Sequence, residues 1–208
     1  ALGALNAKGT LSIGTLKVGG LTVTNAKVTL KSGGGEIRLD PISAKLYEGS
    51  YSGSIKAKAV GGQRVDWHFV ENLKDIQIGP LLKDLTGEEQ LEGTGAVQAD
   101  ITGSGLSDAA VRRSAKGKIS FDFRDGALKG INLGQVAREV KARLRGQTVQ
   151  ETGPQKTDFS AFNGSLTIGQ GKAKNDDLMM KSPFLRISGE GQADLVSDFW
   201  DNVWGTHQ

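Results

Sequence analysis

The side chains that most often carry catalysis or hold metals are few and scattered in this sequence. It has no cysteine and two histidines among 208 residues, which excludes thiol nucleophiles, disulfides and thiolate metal sites. His68 lies between Trp67 and Phe69 in an alternating run, so its ring is expected on the opposite, wetter face of a strand. His207 is the penultimate residue. Neither histidine has a second ligand at a spacing typical of a metal site.

The adjacent carboxylates Asp176 and Asp177 are the candidate acid pair. Neighbours on a strand point to opposite faces, so these two cannot easily share a proton or a metal. The glycine-rich stretches at 33–35 and 103–105 are too short for phosphate or dinucleotide loops and are interpreted as turns. We therefore predict no catalytic residue, no cofactor, no metal site and no enzymatic activity.

Basic side chains are stronger candidates for a functional site than the acidic residues and histidines. Four of them lie in or just after a predicted helix: Arg138, Lys141, Arg143 and Arg145. They could meet anionic lipid headgroups, at about 1 kcal/mol for each juxtamembrane cation; the alternative is a solvated face that complements the helix dipole. The net charge of +3 is too small for a nucleic-acid footprint, so no nucleic acid partner is predicted.

Most of the chain alternates apolar and polar residues with period two, which is typical of half-buried strands. Glycine is the compositional outlier, with 30 residues against 4 prolines, and indicates turns, bulges and close backbone approach in sheets. The predicted fold class is mainly β: a curved antiparallel sheet or flattened sandwich of repeated hairpins with three short α-helices. A parallel β-helix is the rival fold, but the strand spacing is too uneven for regular rungs.

Four positions should interrupt the strands. The alternation changes phase at Thr24-Asn25, which predicts a bulge or turn. Residues 33–35 predict a hairpin, and Pro41 is expected to break the ladder. Asp125-Gly126 is a strong hairpin signal between two apolar runs.

Three segments predict helices. The first begins at Pro80 and ends at Gly87, the second follows Ser107 as N-cap, and the third follows Asn132 and ends at Gly146. The third has the clearest apolar stripe: Leu133, Val136, Ala137, Val140 and Leu144. We expect that stripe to be buried against the protein.

Four residues on apolar strand positions are candidates for lining a groove: Val97, Ile187, Gly189 and Gly191. The glycines at such positions, with Gly53 and Gly95, would either clear room for an acyl chain or let a helix pack close or the sheet coil. We favour close packing or coiling.

Several blocks, in this order and spacing, resemble the C-terminal part of the AsmA family: residues 20–30, 37–49, 76–85, 91–95, 125–133, 157–160 and 174–178. The resemblance covers nearly the whole chain, to about Leu195, and extends to TamB-type envelope lipid-transport proteins. It implies a non-catalytic periplasmic module for outer-membrane biogenesis and for phospholipid handling and transport between membranes. It also implies a Gram-negative cell and an inner-membrane anchor in an N-terminal segment outside this sequence.

The partners implied by the resemblance are phospholipid or a membrane surface, together with outer-membrane assembly proteins. The alternative function is a structural scaffold for outer-membrane protein assembly that binds no lipid. One β-rich domain is expected over residues 1–195, divisible into halves at 1–104 and 105–195, with a mobile loop at 146–157. Residues 196–208 depart from the family pattern and form a divergent tail.

Overall fold

Ten strands follow one another across a single sheet in chain order. The computed structural model describes residues 6–62, 64–150, 153–183 and 185–195. The strands are β1 (Ala7–Val18), β2 (Leu21–Gly33), β3 (Glu36–Leu46), β4 (Gly49–Ala59), β5 (Val65–Gln77), β6 (Leu91–Ser104), β7 (Lys116–Lys129), β8 (Lys156–Gly169), β9 (Lys172–Lys181) and β10 (Arg186–Asp194). Every neighbouring pair is antiparallel. The prediction of a mainly β, antiparallel fold is confirmed, as one open sheet rather than a sandwich or a parallel β-helix.

The three predicted helices form between strands. They are α1 (Ile78–Thr86) after β5, α2 (Asp108–Ser114) after β6, and α3 (Leu133–Arg143) after β7. Gly87 ends α1 in the left-handed region, at φ 82°, and its N–H donates to the Lys83 carbonyl. Ser107 and Asn132 cap α2 and α3 by accepting from backbone N–H groups in the first turn. In the ranges that the structure describes, none of these helices has the length and apolarity needed to cross a bilayer.

Two predicted interruptions are confirmed. The ladder between β2 and β3 shifts its register between Thr24 and Lys27, and Asn25 has φ 51°, which makes this the expected bulge. Gly34 and Gly35, both with positive φ, connect β2 to β3 as a tight hairpin. The bulge at Asn25 absorbs the phase change and keeps the apolar residues of β2 on one face.

The third predicted interruption is confirmed for the ladder but not for the strand. The register shifts between Leu39 and Ile42, so the ladder is broken at Pro41, which lacks an N–H donor. β3 nevertheless continues through Pro41, so no new strand begins at Ile42. The hairpin predicted at Asp125-Gly126 is wrong. β7 continues through Asp125-Gly126, where Asp125 has φ 50°. Strands β6 and β8 pair with β7 on either side of this point, so the left-handed conformation forms a bulge within the ladder instead of a turn.

The buried core is thin and lies at the ends of the sheet. Under α1, a cluster contains Leu46, Ile76 and Ile78, against which Leu81 and Leu82 of the helix pack. A second cluster contains Ala115, which directly follows α2, together with Ile168 of β8 and Ala173 of β9. Among the described residues, Ile76 is the one large side chain that is fully buried.

The predicted loop at 146–157 overlaps the beginning of β8 at Lys156. Residues 151–152 and the predicted tail at 196–208 lie outside the described residues. The sheet runs without interruption across residue 104, where the sequence suggested a division into halves.

Candidate functional site

The apolar residues of the strands lie on one side of the sheet, named here the apolar face. Residues directly opposite one another on antiparallel strands share a face. Two cross-strand rows show this; the first contains Tyr51, Leu73, Val97 and Phe121, and the second contains Ile55, Phe69, Ile101, Ile168 and Ala173. The opposite, polar face carries mainly lysine, serine, threonine and aspartate side chains.

The apolar face is incompletely covered by the helices. Ile55, Val97 and Ile119 in its central strands are half-buried. At the edge, Leu11 and Val18 of β1 are 58% and 53% exposed. A sheet normally buries its apolar face under a second layer, so this face offers contact area to an apolar ligand.

An apolar cleft of about 230 Å³ opens beside α2 at one end of this face. It is lined by Trp67, Phe69, Gly105, Leu106, Ser107, Asp108 and Val111. The rings of Trp67 and Phe69 stack with centroids 6.0 Å apart, and Trp67 Nε1 donates to the Gly105 carbonyl over 2.8 Å. Leu106 is 68% exposed at the mouth. Its volume is below the range of about 300–1,000 Å³ that is typical of small-molecule pockets.

Phenylalanine rings fill the centre of the face toward the α1 end. Phe121 lies 5.1 Å from Phe123 and 5.3 Å from Phe162, and Phe159 lies 5.6 Å from Phe162, between ring centroids. A Cβ on Gly95 would lie 2.1 Å from Cδ1 of Phe123. The space that Gly95 leaves is therefore occupied by this ring from the neighbouring strand.

One carboxyl group lies within the apolar rows. Glu71 is opposite Gly53 and Ala99 in the ladder, and Tyr51 Oη donates a short hydrogen bond to its carboxyl. Burial raises the pKa of Glu71 and also that of Tyr51. A Cβ on Gly53 would meet Glu71 Oε2 at 2.5 Å, so this glycine makes room for the carboxyl group.

The polar face does not assemble a catalytic group from the residues considered above. His68 Nε2 lies 2.7 Å from Asp100 Oδ1 on this face, as the alternation predicted. Asp177 accepts hydrogen bonds from the backbone N–H and the hydroxyl of Ser165, which lower the pKa of its carboxyl. Across the described ranges, no three histidine or acidic side chains cluster as metal ligands.

A shallow depression of about 490 Å³ also lies near His68. Its lining combines three lysines with other polar residues and with apolar surface: Lys56, Lys58, Asp66, Trp67, His68, Thr102, Gly103, Ser104, Ser114 and Lys116. The lysines lie on the polar face, opposite the half-buried apolar rows.

The four predicted groove residues do not form one site. Val97 lies in the centre of the apolar face, on β6, whereas Ile187, Gly189 and Gly191 lie on β10 at the edge. Four strand spacings separate β6 from β10, about 19 Å at 4.8 Å per strand. A Cβ on Gly189 would make ordinary contact with Leu178 at 3.4 Å, whereas nothing lies within 4 Å at Gly191.

The expected burial of the α3 stripe is wrong. Val136, Val140 and Leu144 are 48%, 54% and 84% exposed, whereas Gln135 and Ala142 are buried. Leu133 N donates to Thr157 Oγ1 over 2.9 Å, which ties the start of the helix to β8. The helix therefore presents its polar side to the protein and its apolar side outward.

The four predicted headgroup-binding cations are exposed along the outer part of this helix and its end: Arg138, Lys141, Arg143 and Arg145. They are thus brought together with the exposed stripe, and not with the four predicted groove residues. Glu71 and Tyr51 were missed by sequence reasoning. The position of Glu71 could have been predicted from the alternation. Residue 71 is two positions from Phe69 and from Leu73 on the same strand, so its side chain must lie on the apolar face.

An open antiparallel sheet with one incompletely covered apolar face is the architecture that these observations define. The AsmA family model matches residues 6–178 of the chain. Since that match covers most of the sequence, the chain belongs to the AsmA family, and the resemblance noted above is confirmed.

A curated relative is Protein AsmA of Escherichia coli (strain K12), which is 24% identical over 185 residues. The aligned part covers 88% of this chain and 30% of that protein, so the chain spans less than a third of the relative's length. No solved structure matches the chain. Membership of this family suggests a role in the bacterial cell envelope and in outer-membrane biogenesis.

Proposed function

We propose that this chain is a non-catalytic module that binds phospholipid acyl chains on its apolar face and takes part in phospholipid transport between membranes. The observation that carries the proposal is the incomplete cover of that face. Half-buried Ile55, Phe69, Val97 and Ile119 lie in the centre of a ten-stranded sheet. Family membership supports the envelope setting.

The energetics suit reversible binding. Each methylene removed from water contributes about 0.8 kcal/mol, so about eight methylenes on the apolar face would contribute about 6 kcal/mol. Association costs several kcal/mol in lost freedom, which leaves a modest net affinity. A protein that receives and releases lipid needs such an affinity, and it needs no catalytic residue.

The proposed location is the periplasm, with anchorage to the inner membrane. Phospholipid is the proposed ligand, and outer-membrane assembly proteins are further proposed partners. The family's envelope association supports this setting, which would give the apolar face access to membrane lipid.

The experiment is native mass spectrometry of the purified chain, with extraction and identification of lipid from the same sample. Val97→Asp places a charge in the centre of the apolar face, whereas the matched control Gln98→Asp places it on the next, exposed residue of the same strand. Co-purifying phospholipid that is lost in V97D and kept in Q98D, with both variants folded by circular dichroism, supports the proposal.

A lipid-free mass for the wild-type chain, without uptake from vesicles, would favour the scaffold function instead. The observation that favours a scaffold is the exposure of β1. This strand is an edge of the described sheet, and its apolar residues Leu11, Leu16 and Val18 are exposed. Edge strands bind extended segments by strand addition. In that case outer-membrane assembly partners should protect the amides of β1 from hydrogen exchange.

A further inference from the structure

Helix α3 is oriented opposite to an ordinary amphipathic helix on a sheet. At about 100° per residue, Gln135, Glu139 and Ala142 share one side of the helix. Gln135 and Ala142 are buried, and Gln135 Nε2 donates to Glu139 Oε1 over 2.9 Å. This side is the one that meets the protein.

The outward side of the helix is apolar. Val136, Ala137, Val140 and Leu144 lie within about 50° of one direction, roughly opposite Gln135 and Ala142. All four are exposed. An apolar stripe on an amphipathic helix is normally the side that is buried, so this stripe lacks a partner in the described part of the chain.

Cations border the stripe on both sides. On the same helical wheel, Lys141 lies on one border of the stripe and Arg143 on the other, whereas Arg138 lies nearer the inward side. Arg145 follows the end of the helix and is also exposed. The one carboxylate among residues 133–145 is Glu139, which lies on the inward side and accepts from Gln135. The outward surface therefore combines an apolar centre with positive borders.

We propose that α3 docks the protein on an anionic phospholipid bilayer, with its apolar stripe in the headgroup–acyl boundary and its cations among the phosphates. Helices that lie in a membrane interface carry this arrangement of residues. A protein partner would need an acidic rim around an apolar groove, whereas an anionic bilayer supplies both chemistries over any contact area. The inference deepens the proposed function by naming the surface through which the chain reaches membrane lipid.

Vesicle co-sedimentation of the full chain tests the proposal. The probes are vesicles of phosphatidylcholine with 30% phosphatidylglycerol and vesicles of phosphatidylcholine alone. We expect stronger binding to the anionic vesicles, weakened by salt. Lys141→Gln with Arg143→Gln should reduce binding about thirtyfold, because each juxtamembrane cation is worth about a factor of five. The control Lys27→Gln with Lys31→Gln removes the same charge from exposed positions on the polar face and should change it little.

A second pair of variants tests the stripe itself. Val140→Ser with Leu144→Ser keeps the charge and should weaken binding at least tenfold. Because the chain has no cysteine, Val140→Cys can carry a single environment-sensitive dye. Its emission should shift to the blue on anionic vesicles, whereas a dye at exposed Ala109 of α2 should not shift.

These results separate this inference from the proposed function. If V97D loses bound lipid and still binds vesicles, both stand; if the α3 variants bind vesicles like wild type, the α3 inference is refuted while lipid capture on the apolar face is untouched. Binding that is equal on neutral and anionic vesicles also refutes it. So does self-association of the wild-type chain that V140S/L144S abolishes, because the stripe would then serve a second copy.

Discussion

Gly95→Ala distinguishes the two interpretations of the glycines on the apolar face. An added Cβ would lie 2.1 Å from Phe123 Cδ1 and 3.0 Å from the Asp122 carbonyl oxygen. Carbon atoms in contact lie about 3.5–4.0 Å apart, so the ring would have to move by more than about 1 Å. Phe121 lies 5.1 Å from Phe123 between centroids and restricts that movement.

The expected loss of stability follows from two opposing effects. Overpacking a well-packed site costs about 1–3 kcal/mol, whereas replacing glycine by alanine in a strand recovers about 0.5–1 kcal/mol. We expect G95A to lose about 1–2 kcal/mol in urea unfolding. The melting temperature should fall by about 2–4 °C for each kcal/mol in a domain of this size.

A double-mutant cycle gives the refutation. Phe123→Leu removes the ring that Gly95 accommodates, so G95A should cost much less in an F123L background, with a coupling of at least about 1 kcal/mol. Gly191→Ala is the control, because nothing lies within 4 Å of its added Cβ, and its stability should not fall. If G95A and F123L are additive, or if G95A keeps full stability and loses bound lipid, the close-packing argument fails.

Two further predictions concern the buried polar groups. Because burial raises the pKa of Glu71, the folded chain keeps a proton that the unfolded chain releases near its ordinary pKa of about 4.3, so stability falls as pH rises from there toward the folded pKa. Glu71→Gln lacks this penalty, and its stability relative to wild type should increase between pH 4 and pH 8 in urea unfolding; a constant difference would contradict the argument. Thr157, which is 5% exposed, donates to the Ile131 carbonyl over 2.6 Å and accepts from Leu133 N. Thr157→Val should therefore cost about 2 kcal/mol and increase amide exchange in α3, whereas Thr167→Val at an exposed position should do neither.

The alternation of residues was sufficient to predict the main elements. Period two requires strands with one apolar face, and caps such as Ser107, Asn132 and Gly87 end or begin helices through contacts made within a few residues. Such local features are determined by the neighbouring sequence. They gave the correct fold class and all three helices.

Interruptions within strands depended on more distant contacts. Asp125-Gly126 favours a left-handed backbone in either a hairpin or a bulge, and the local sequence does not distinguish them. Pairing with β6 and β8 does distinguish them, because both strands are hydrogen-bonded to β7 before and after this point. A hairpin at Asp125-Gly126 would lose the hydrogen bonds on one side of it. Pro41 interrupts the ladder, as its missing N–H requires, but pairing on both sides of it keeps β3 continuous.

Residue periodicity was enough to predict one apolar face on the sheet and an apolar stripe with neighbouring cations on α3. The contacts made in the folded chain then leave both apolar surfaces incompletely covered within the described residues. Helical period defines the angle between the stripe and Gln135, but not which of these sides meets the protein. That choice depends on anchoring contacts such as the one from Leu133 N to Thr157, between residues that are distant in sequence and adjacent only in the folded chain.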